Sequence, residues 1–197
     1  MGKSTTAKLF EEAGVPVYDA DASVHRLYEG EAAPAIEAAF PGAVRAGKVD
    51  RALLAQEVAG SPEKLKQLES IVHPMVVTAE IDFLREQERQ GAKFAVLEIP
   101  LLFETDAHSR VDVTVVVSAP EEVQRARVLA RPGMSQAKLE ALLKRQLSDE
   151  EKRARADFVV DSGRSLADMQ DQIDKILDSL EVRRGRVMER LRHGQAT

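Results

Sequence analysis

Met1-Gly2-Lys3-Ser4-Thr5 opens the chain, and the reading of this pentapeptide decides the reading of the rest. In the pattern G-x-x-x-x-G-K-[ST], a glycine-rich loop presents main-chain N–H groups to phosphates. The Lys reaches the β- and γ-phosphates, and the Ser or Thr hydroxyl binds Mg²⁺. Such a loop lies between a strand and a helix. Residues Thr5 to Ala13 supply the helix, with apolar Ala7, Leu9, Phe10 and Ala13 and a stop at Gly14. The sequence shows no strand or first half of the loop ahead of Gly2. The expectation is a chain that starts inside its phosphate loop, with roughly ten or more residues preceding it. The same residues satisfy M-G-x-x-x-[ST], the N-myristoylation pattern, but that short pattern accounts for nothing downstream.

At 197 residues, 44% hydrophobic and 31% charged, the composition is that of a soluble globular chain with one full core and room for a smaller insert. A formal net charge of −5 argues against a nucleic-acid partner, which calls for a basic surface. The chain has no Trp and only two Tyr, which leaves little material for stacking bases. With no Cys, neither a disulfide framework nor a thiolate metal site is available, which fits a cytoplasmic protein. No apolar run approaches the length of a membrane span. Oligomeric state has no signature here.

Apolar patterning divides the chain. Val15-Pro16-Val17-Tyr18 is a brief strand-like run, and Asp19-Ala20-Asp21 opens a helical stretch to Tyr28. From Gly30 to Gln90 the pattern is nearly all helical. Its longest piece starts at Ser61-Pro62 and repeats Leu65, Leu68, Val72, Met75, Val76, Ala79 and Phe83 at spacings of three and four, with Pro74 expected to kink it. Phe94–Leu97, Val111–Val117 and Asp157–Val160 read as buried strands. Between them lie a helix from a Ser118/Glu121 capping box to Arg131, a break at Pro132-Gly133, a helix from Ser135 to Gln146, and a third capped at Ser148. A last helix carries Leu166, Met169, Ile173, Ile176, Leu177 and Leu180 on one face, and the basic stretch from Arg183 to Arg192 reads as a solvated helix end. Strands alternating with helices predict an α/β fold with a parallel sheet flanked by helices. The segment 30–91 is predicted to be a helical insert in a core formed by 1–29 and 92–197.

Ligands of open α/β sheets bind beyond the carboxyl ends of the strands. Those ends carry Lys3-Ser4, Asp19 and Asp21, Glu98 with Ile99-Pro100-Leu101-Leu102-Phe103-Glu104, and a group of cations: Arg125, Arg127, Arg131, Arg145, Lys152 and Arg153. Singly, Asp-Ala-Asp suits a helix cap, the arginines suit surface pairs, and His73-Pro74 suits a structural histidine. Together they are what phosphoryl transfer requires: a phosphate cradle, Mg²⁺, a carboxylate for the acceptor hydroxyl and arginines over the moving group. The Pro132-Gly133 break supplies the hinge of a lid at about 127–153.

Gly2-Lys3-Ser4-Thr5, Tyr18-Asp19-Ala20-Asp21, Leu68 through Pro74, Glu98 through Glu104, the Arg127/Arg131 pair and Gln146 through Asp157 occur in an order that resembles the dephospho-coenzyme A kinases, from residue 2 to about residue 163. The resemblance implies a P-loop kinase-like fold that phosphorylates the 3′-hydroxyl of dephospho-CoA with ATP, using small-molecule substrates alone. It implies that Gly2, Lys3, Ser4 and Thr5 bind ATP, with Ser4 on Mg²⁺, and that Asp21 deprotonates the acceptor with Asp19 beside it. It further implies that the insert with His73, and the loop with Pro100, Leu101 and Glu104, hold the CoA portion. Arg127 and Arg131 would close over the phosphates, and Ala156 to Gly163 would lie near adenine. His25 stands where the family often has Arg, and Asp161-Ser162-Gly163 where it usually has Asn. Two other readings remain: a P-loop kinase of another small hydroxyl acceptor, and an impaired P-loop protein that binds CoA-like ligands without turnover.

Overall fold

The computed structural model describes residues 2–143 and 146–193. Its elements run α1 (Lys3–Glu12), β1 (Val17–Asp19), α2 (Ala20–Tyr28), α3 (Ala33–Ala39), β2 (Val44–Arg45), β3 (Lys48–Val49), α4 (Arg51–Val58), α5 (Pro62–Arg89), β4 (Val96–Glu98) and a 3₁₀ turn (Ala107–Arg110). They continue with β5 (Val115–Ser118), α6 (Glu121–Leu129), α7 (Gln136–Leu143), α8 (Asp149–Arg155), β6 (Phe158–Asp161), α9 (Leu166–Glu181) and α10 (Val187–Arg192). They form two compact units, 1–17 with 92–197, and 18–91. No helix among the described residues is long and apolar enough to cross a membrane.

The first unit is built on short strands. β5 and β6 pair in parallel with Val115 opposite Phe158 and Ser118 opposite Asp161. At the start of β4, Val96 N–H donates to the Pro16 carbonyl at 2.9 Å. The β5–β6 ladder is locked at its start. Asp157 Oδ2 accepts from Thr114 N–H (2.8 Å) and Thr114 Oγ1 (2.9 Å), and Thr114 Oγ1 accepts from Asp157 N–H (3.1 Å). α9 covers these strands because Met169, Ile173 and Ile176 recur at helical spacing; they are buried with Leu9, Phe10, Val15 and Val160. Ile173 and Val160 are fully buried, each stabilising by about 1.5–3 kcal/mol through lost apolar exposure.

Four local expectations change here. The Val111 run becomes a strand only from Val115, because Asp112 is used elsewhere: it accepts the Arg186 and Val187 N–H groups at 2.8 and 3.2 Å. The basic tail is therefore not a simple solvated end. It forms α10, docked through Asp112 and through Arg190, which donates to Ser109 O. Ser118 caps no helix; it ends β5 and donates to Asp149 Oδ2 at 2.7 Å, so α6 starts after Pro120 with no side-chain cap. Leu166, read as part of the buried face, is 59% exposed. The Ser148 cap is present as a full capping box with Glu151. The predicted helix to Gln146 is described as far as Leu143, and Arg145 lies outside the described residues.

The second unit packs α2, α3 and α4 against α5 around Leu27, Ile36, Phe40, Leu54 and Val72. α5 runs through Pro74 as one 28-residue helix, started by Ser61, whose Oγ accepts from Lys64 N–H, with Pro62 following. The all-helical expectation misses one feature. β2 and β3 form an antiparallel hairpin with Arg45 opposite Lys48. The two turn residues, Ala46 (φ 49°) and Gly47 (φ 76°), are both left-handed, the geometry that suits two-residue hairpins.

Candidate active site

α1 begins at Lys3 with Gly2 as its N-cap, and no side chain caps it. The first N–H groups of a helix have no partner within it, and together with the positive end of the helix dipole they form an anion site. Gly2 is required twice. Its φ is 89°, and a Cβ there would sit 2.6 Å from Ser162 Cβ and 2.7 Å from Ser162 Oγ.

Two side chains of this first turn converge on one oxygen. Lys3 Nζ lies 2.9 Å from Glu98 Oε1, and Ser4 Oγ donates to the same atom at 3.1 Å. Glu98 is the last residue of β4 and is buried. It was not among the residues assigned a role from sequence. An acid that ends an apolar strand, in a chain that opens on Gly-Lys-Ser, is the signal that could have found it: in P-loop enzymes a strand-end carboxylate shares the magnesium with the loop's Ser or Thr. A hydroxyl and a carboxylate are hard oxygen donors, the chemistry Mg²⁺ takes when it keeps waters and substrate phosphates as its other ligands. Thr5 is exposed on the same turn.

Arg127 lies on α6 and reaches the turn after β6. It donates to Ser162 O at 3.0 Å and to Ser162 Oγ at 3.4 Å, while Ser162 Oγ donates to Ser118 O at 3.0 Å. The guanidinium thus braces the turn after β6, the surface against which Gly2 packs. Arg131 is exposed beyond the end of α6, and Gly133, next in the break, has φ 75°. Within 156–163, Asp161 accepts from Gly163 N–H (2.9 Å) and Arg164 Nε (3.1 Å). The Gly163 N–H first, and the Arg164 side chain after it, hold the Asp161 carboxyl below its usual range.

After β4 the chain turns through Pro100 and Leu101, the latter 39% exposed and left-handed at φ 56°. Thr105 N–H and Oγ1 both donate to the Leu101 carbonyl. Glu104 reaches across to Leu147 N–H (2.9 Å) and Lys152 Nζ (3.0 Å). Burial raises the Glu104 carboxyl, but the Lys152 and Leu147 donors outweigh it and leave it below its usual value.

In the second unit, Asp19 is the N-cap of α2 and accepts from Ala22 N–H at 2.9 Å. Asp21 stands in the first turn of α2, exposed, with no hydrogen bond or ion pair among the described residues. The two carboxylates thus differ: one is committed to the backbone and the other is available. Tyr18 OH donates to the Val76 carbonyl (3.2 Å) and tilts against Phe83, tying the start of α2 to α5; burial pushes its phenol up. His25 Nδ1 lies 3.5 Å from Arg51 Nη1. His73 is exposed on α5 rather than a buried structural histidine.

Residues 1–168 match the family described as dephospho-CoA kinase. A curated dephospho-CoA kinase of Rhodopseudomonas palustris is 59% identical over 179 residues, covering 91% of this chain and 90% of the relative. That of Brucella melitensis is 57% identical over 180 residues, with coverage of 91% and 90%. A crystal structure from Thermus thermophilus superposes with a TM-score of 0.77 at 40% identity, covering 91% of this chain and 92% of that one. The dephospho-CoA kinase of Campylobacter jejuni gives 0.62 at 25% identity, with 91% of each chain covered. The α/β fold of short strands flanked by helices and these relatives agree: the chain belongs to the dephospho-CoA kinase family.

Proposed function

We propose that this chain transfers the γ-phosphoryl group of ATP to the 3′-hydroxyl of dephospho-CoA, giving coenzyme A. The observation that carries the reading is the convergence of Lys3 Nζ and Ser4 Oγ on Glu98 Oε1 at the uncapped start of α1. Backbone N–H groups of Gly2 to Thr5 receive the phosphates, and Lys3 exchanges its pair with Glu98 for the β- and γ-phosphate oxygens. Ser4 and Glu98 hold Mg²⁺. When bound, the ion neutralises charge on the β- and γ-phosphates.

Asp21 takes the proton of the acceptor hydroxyl as the oxygen attacks phosphorus, and ADP leaves with the old β–γ bridging oxygen. Its carboxylate suits that role because it is uncommitted, whereas Asp19 is held by Ala22 N–H. Arg127 keeps the turn after β6 seated behind Gly2, and Arg131 remains a cation for the transferred group. His73, Pro100, Leu101 and Glu104 contribute to holding the acceptor. We place the enzyme in the cytoplasm with small-molecule substrates and no nucleic-acid or membrane partner.

The test is ADP release with ATP, Mg²⁺ and dephospho-CoA, set beside a panel of nucleosides and other small hydroxyl acceptors. Turnover specific to dephospho-CoA, reduced about 10²–10⁴-fold in Asp21→Asn with ATP binding retained, supports the assignment. No response to dephospho-CoA, with response to another acceptor, overturns the substrate. ATP and dephospho-CoA binding without turnover indicates the impaired protein.

A further inference from the structure

Glu104 is placed to do more than line an acceptor loop. Its Oε1 takes two donors from far along the chain, Leu147 N–H at 2.9 Å and Lys152 Nζ at 3.0 Å. The Glu104 and Lys152 side chains are 13% and 22% exposed, so the pair is mostly shielded from water. The other oxygen, Oε2, is buried and has no hydrogen-bond partner among the described residues. An ionised carboxylate can accept at both oxygens, and a buried acceptor left unpaired is costly. A carboxylate kept only to anchor a helix has no need of that asymmetry. The loop is also strained at both ends of the same stretch, with Leu101 and Asp106 left-handed at φ 56° and 57°, a backbone cost that clusters at ligand-binding segments.

The segment held by Oε1 is itself tied to the strand ends. Leu147 and Lys152 flank Ser148, the cap of α8. The next residue, Asp149, accepts from Ser118 Oγ at the end of β5 (2.7 Å) and from Gln124 Nε2 (3.1 Å). Glu104 therefore connects the loop after β4 to the start of α8, and Asp149 connects the start of α8 to the end of β5.

We propose that Glu104 couples acceptor binding to the seating of α8: Oε2 receives an amide N–H or hydroxyl of the bound acceptor while Oε1 holds Leu147 and Lys152. This rests on the reading that the loop after β4 binds dephospho-CoA. A donor on Oε2 fixes the carboxylate in the one orientation that keeps Oε1 on α8, so binding and seating reinforce each other. Coupling of this kind is reciprocal. Weakening the α8 side must then weaken acceptor binding, although Lys152 acts only through Glu104 and is a positioning residue.

The experiment uses the full chain as wild type, Glu104→Gln and Lys152→Met, each checked for fold by circular dichroism. Calorimetry with dephospho-CoA gives acceptor affinity, hydrogen exchange reads the peptide from Leu147 to Lys152 with and without dephospho-CoA, and steady-state kinetics gives the KM of each substrate. Coupling predicts that dephospho-CoA slows exchange at Leu147 in wild type and fails to do so in Glu104→Gln. It also predicts that Lys152→Met raises the acceptor KM about fivefold or more while the ATP KM stays within about twofold. Should Glu104→Gln not fold, the Lys152→Met kinetics and exchange decide alone. Acceptor protection retained in Glu104→Gln, or faster exchange in Lys152→Met with an unchanged acceptor KM, overturns the coupling and leaves a plain structural anchor. No binding of dephospho-CoA to wild type overturns the function reading instead.

Discussion

Glu98→Gln separates the structural from the chemical use of the strand-end carboxylate. The substitution keeps the shape and an oxygen for Ser4 Oγ but removes the charge facing Lys3. The Glu98 side chain is 7% exposed and that of Lys3 36%. Exposed pairs contribute about 0.2–1 kcal/mol, and breaking a buried pair costs about 3–5 kcal/mol. With one partner buried and the other partly wet, the loss falls between, at about 1–2 kcal/mol. For a chain of this size that lowers Tm by about 2–8 °C, and part of the difference disappears at high salt because Lys3 is reached by solvent. Catalysis should suffer more than stability. Removing one charge-stabilising group at a reacting phosphate costs about 10²–10³ in kcat, and the variant should need more Mg²⁺ to reach half its maximal rate. Calorimetric Tm at two ionic strengths and ADP release across a Mg²⁺ titration read the two effects apart. A lowered Tm with unchanged kcat and Mg²⁺ requirement would refute the reasoning, since Glu98 would then serve only to park Lys3.

Gly2→Ala combines a left-handed backbone penalty with a Cβ overlap at Ser162. A cost of about 2 kcal/mol borne by the phosphate site raises the ATP KM about thirtyfold, and an unchanged KM refutes the close-approach argument. Gly185→Ala would put a Cβ 2.7 Å from Asp112 Oδ2, displacing the remote cap of α10. The expected loss is about 1 kcal/mol, seen as faster proteolysis after Arg186 with turnover intact; an unaltered digestion pattern counts against the docked tail. The pH dependence of Glu104 has a definite sign. Its folded carboxyl lies below the ordinary value, so its stabilisation is present above about pH 4.3 and is lost as pH falls through the folded value. The destabilisation caused by Glu104→Gln, measured by urea unfolding, should be largest at pH 7 and shrink in acid; a gap that widens below pH 4 contradicts the assignment.

What the sequence disclosed and what it hid differ by range. The helix start at Ser61-Pro62, the Ser148–Glu151 box and the Gly-Lys-Ser turn are legible because cap, spacing and motif lie within a few residues of one another. The hairpin at Val44–Val49 left only Gly47 as a local sign, and its two-residue strands are too short for an alternation to register. The carboxylates show the limit most clearly. Asp19, Glu98, Glu104 and Asp112 each follow or precede an apolar run, and nothing adjacent tells them apart. Asp19 meets an N–H three residues away and becomes a cap, the one case a local reading could anticipate. Glu98 meets Ser4 across 94 positions, Glu104 meets Leu147 across 43, and Asp112 meets Arg186 across 74. Each of these last three carboxylates, whether buried as Glu98 is or exposed as Asp112 is, takes its role from donors that the fold brings from far along the chain, so three of these four roles are properties of topology. The same argument explains Asp21, whose distinction is that the fold brings it no donor among the described residues. A general base must keep its lone pairs for the substrate, and a carboxylate already satisfied by a backbone N–H, as Asp19 is, surrenders part of that capacity.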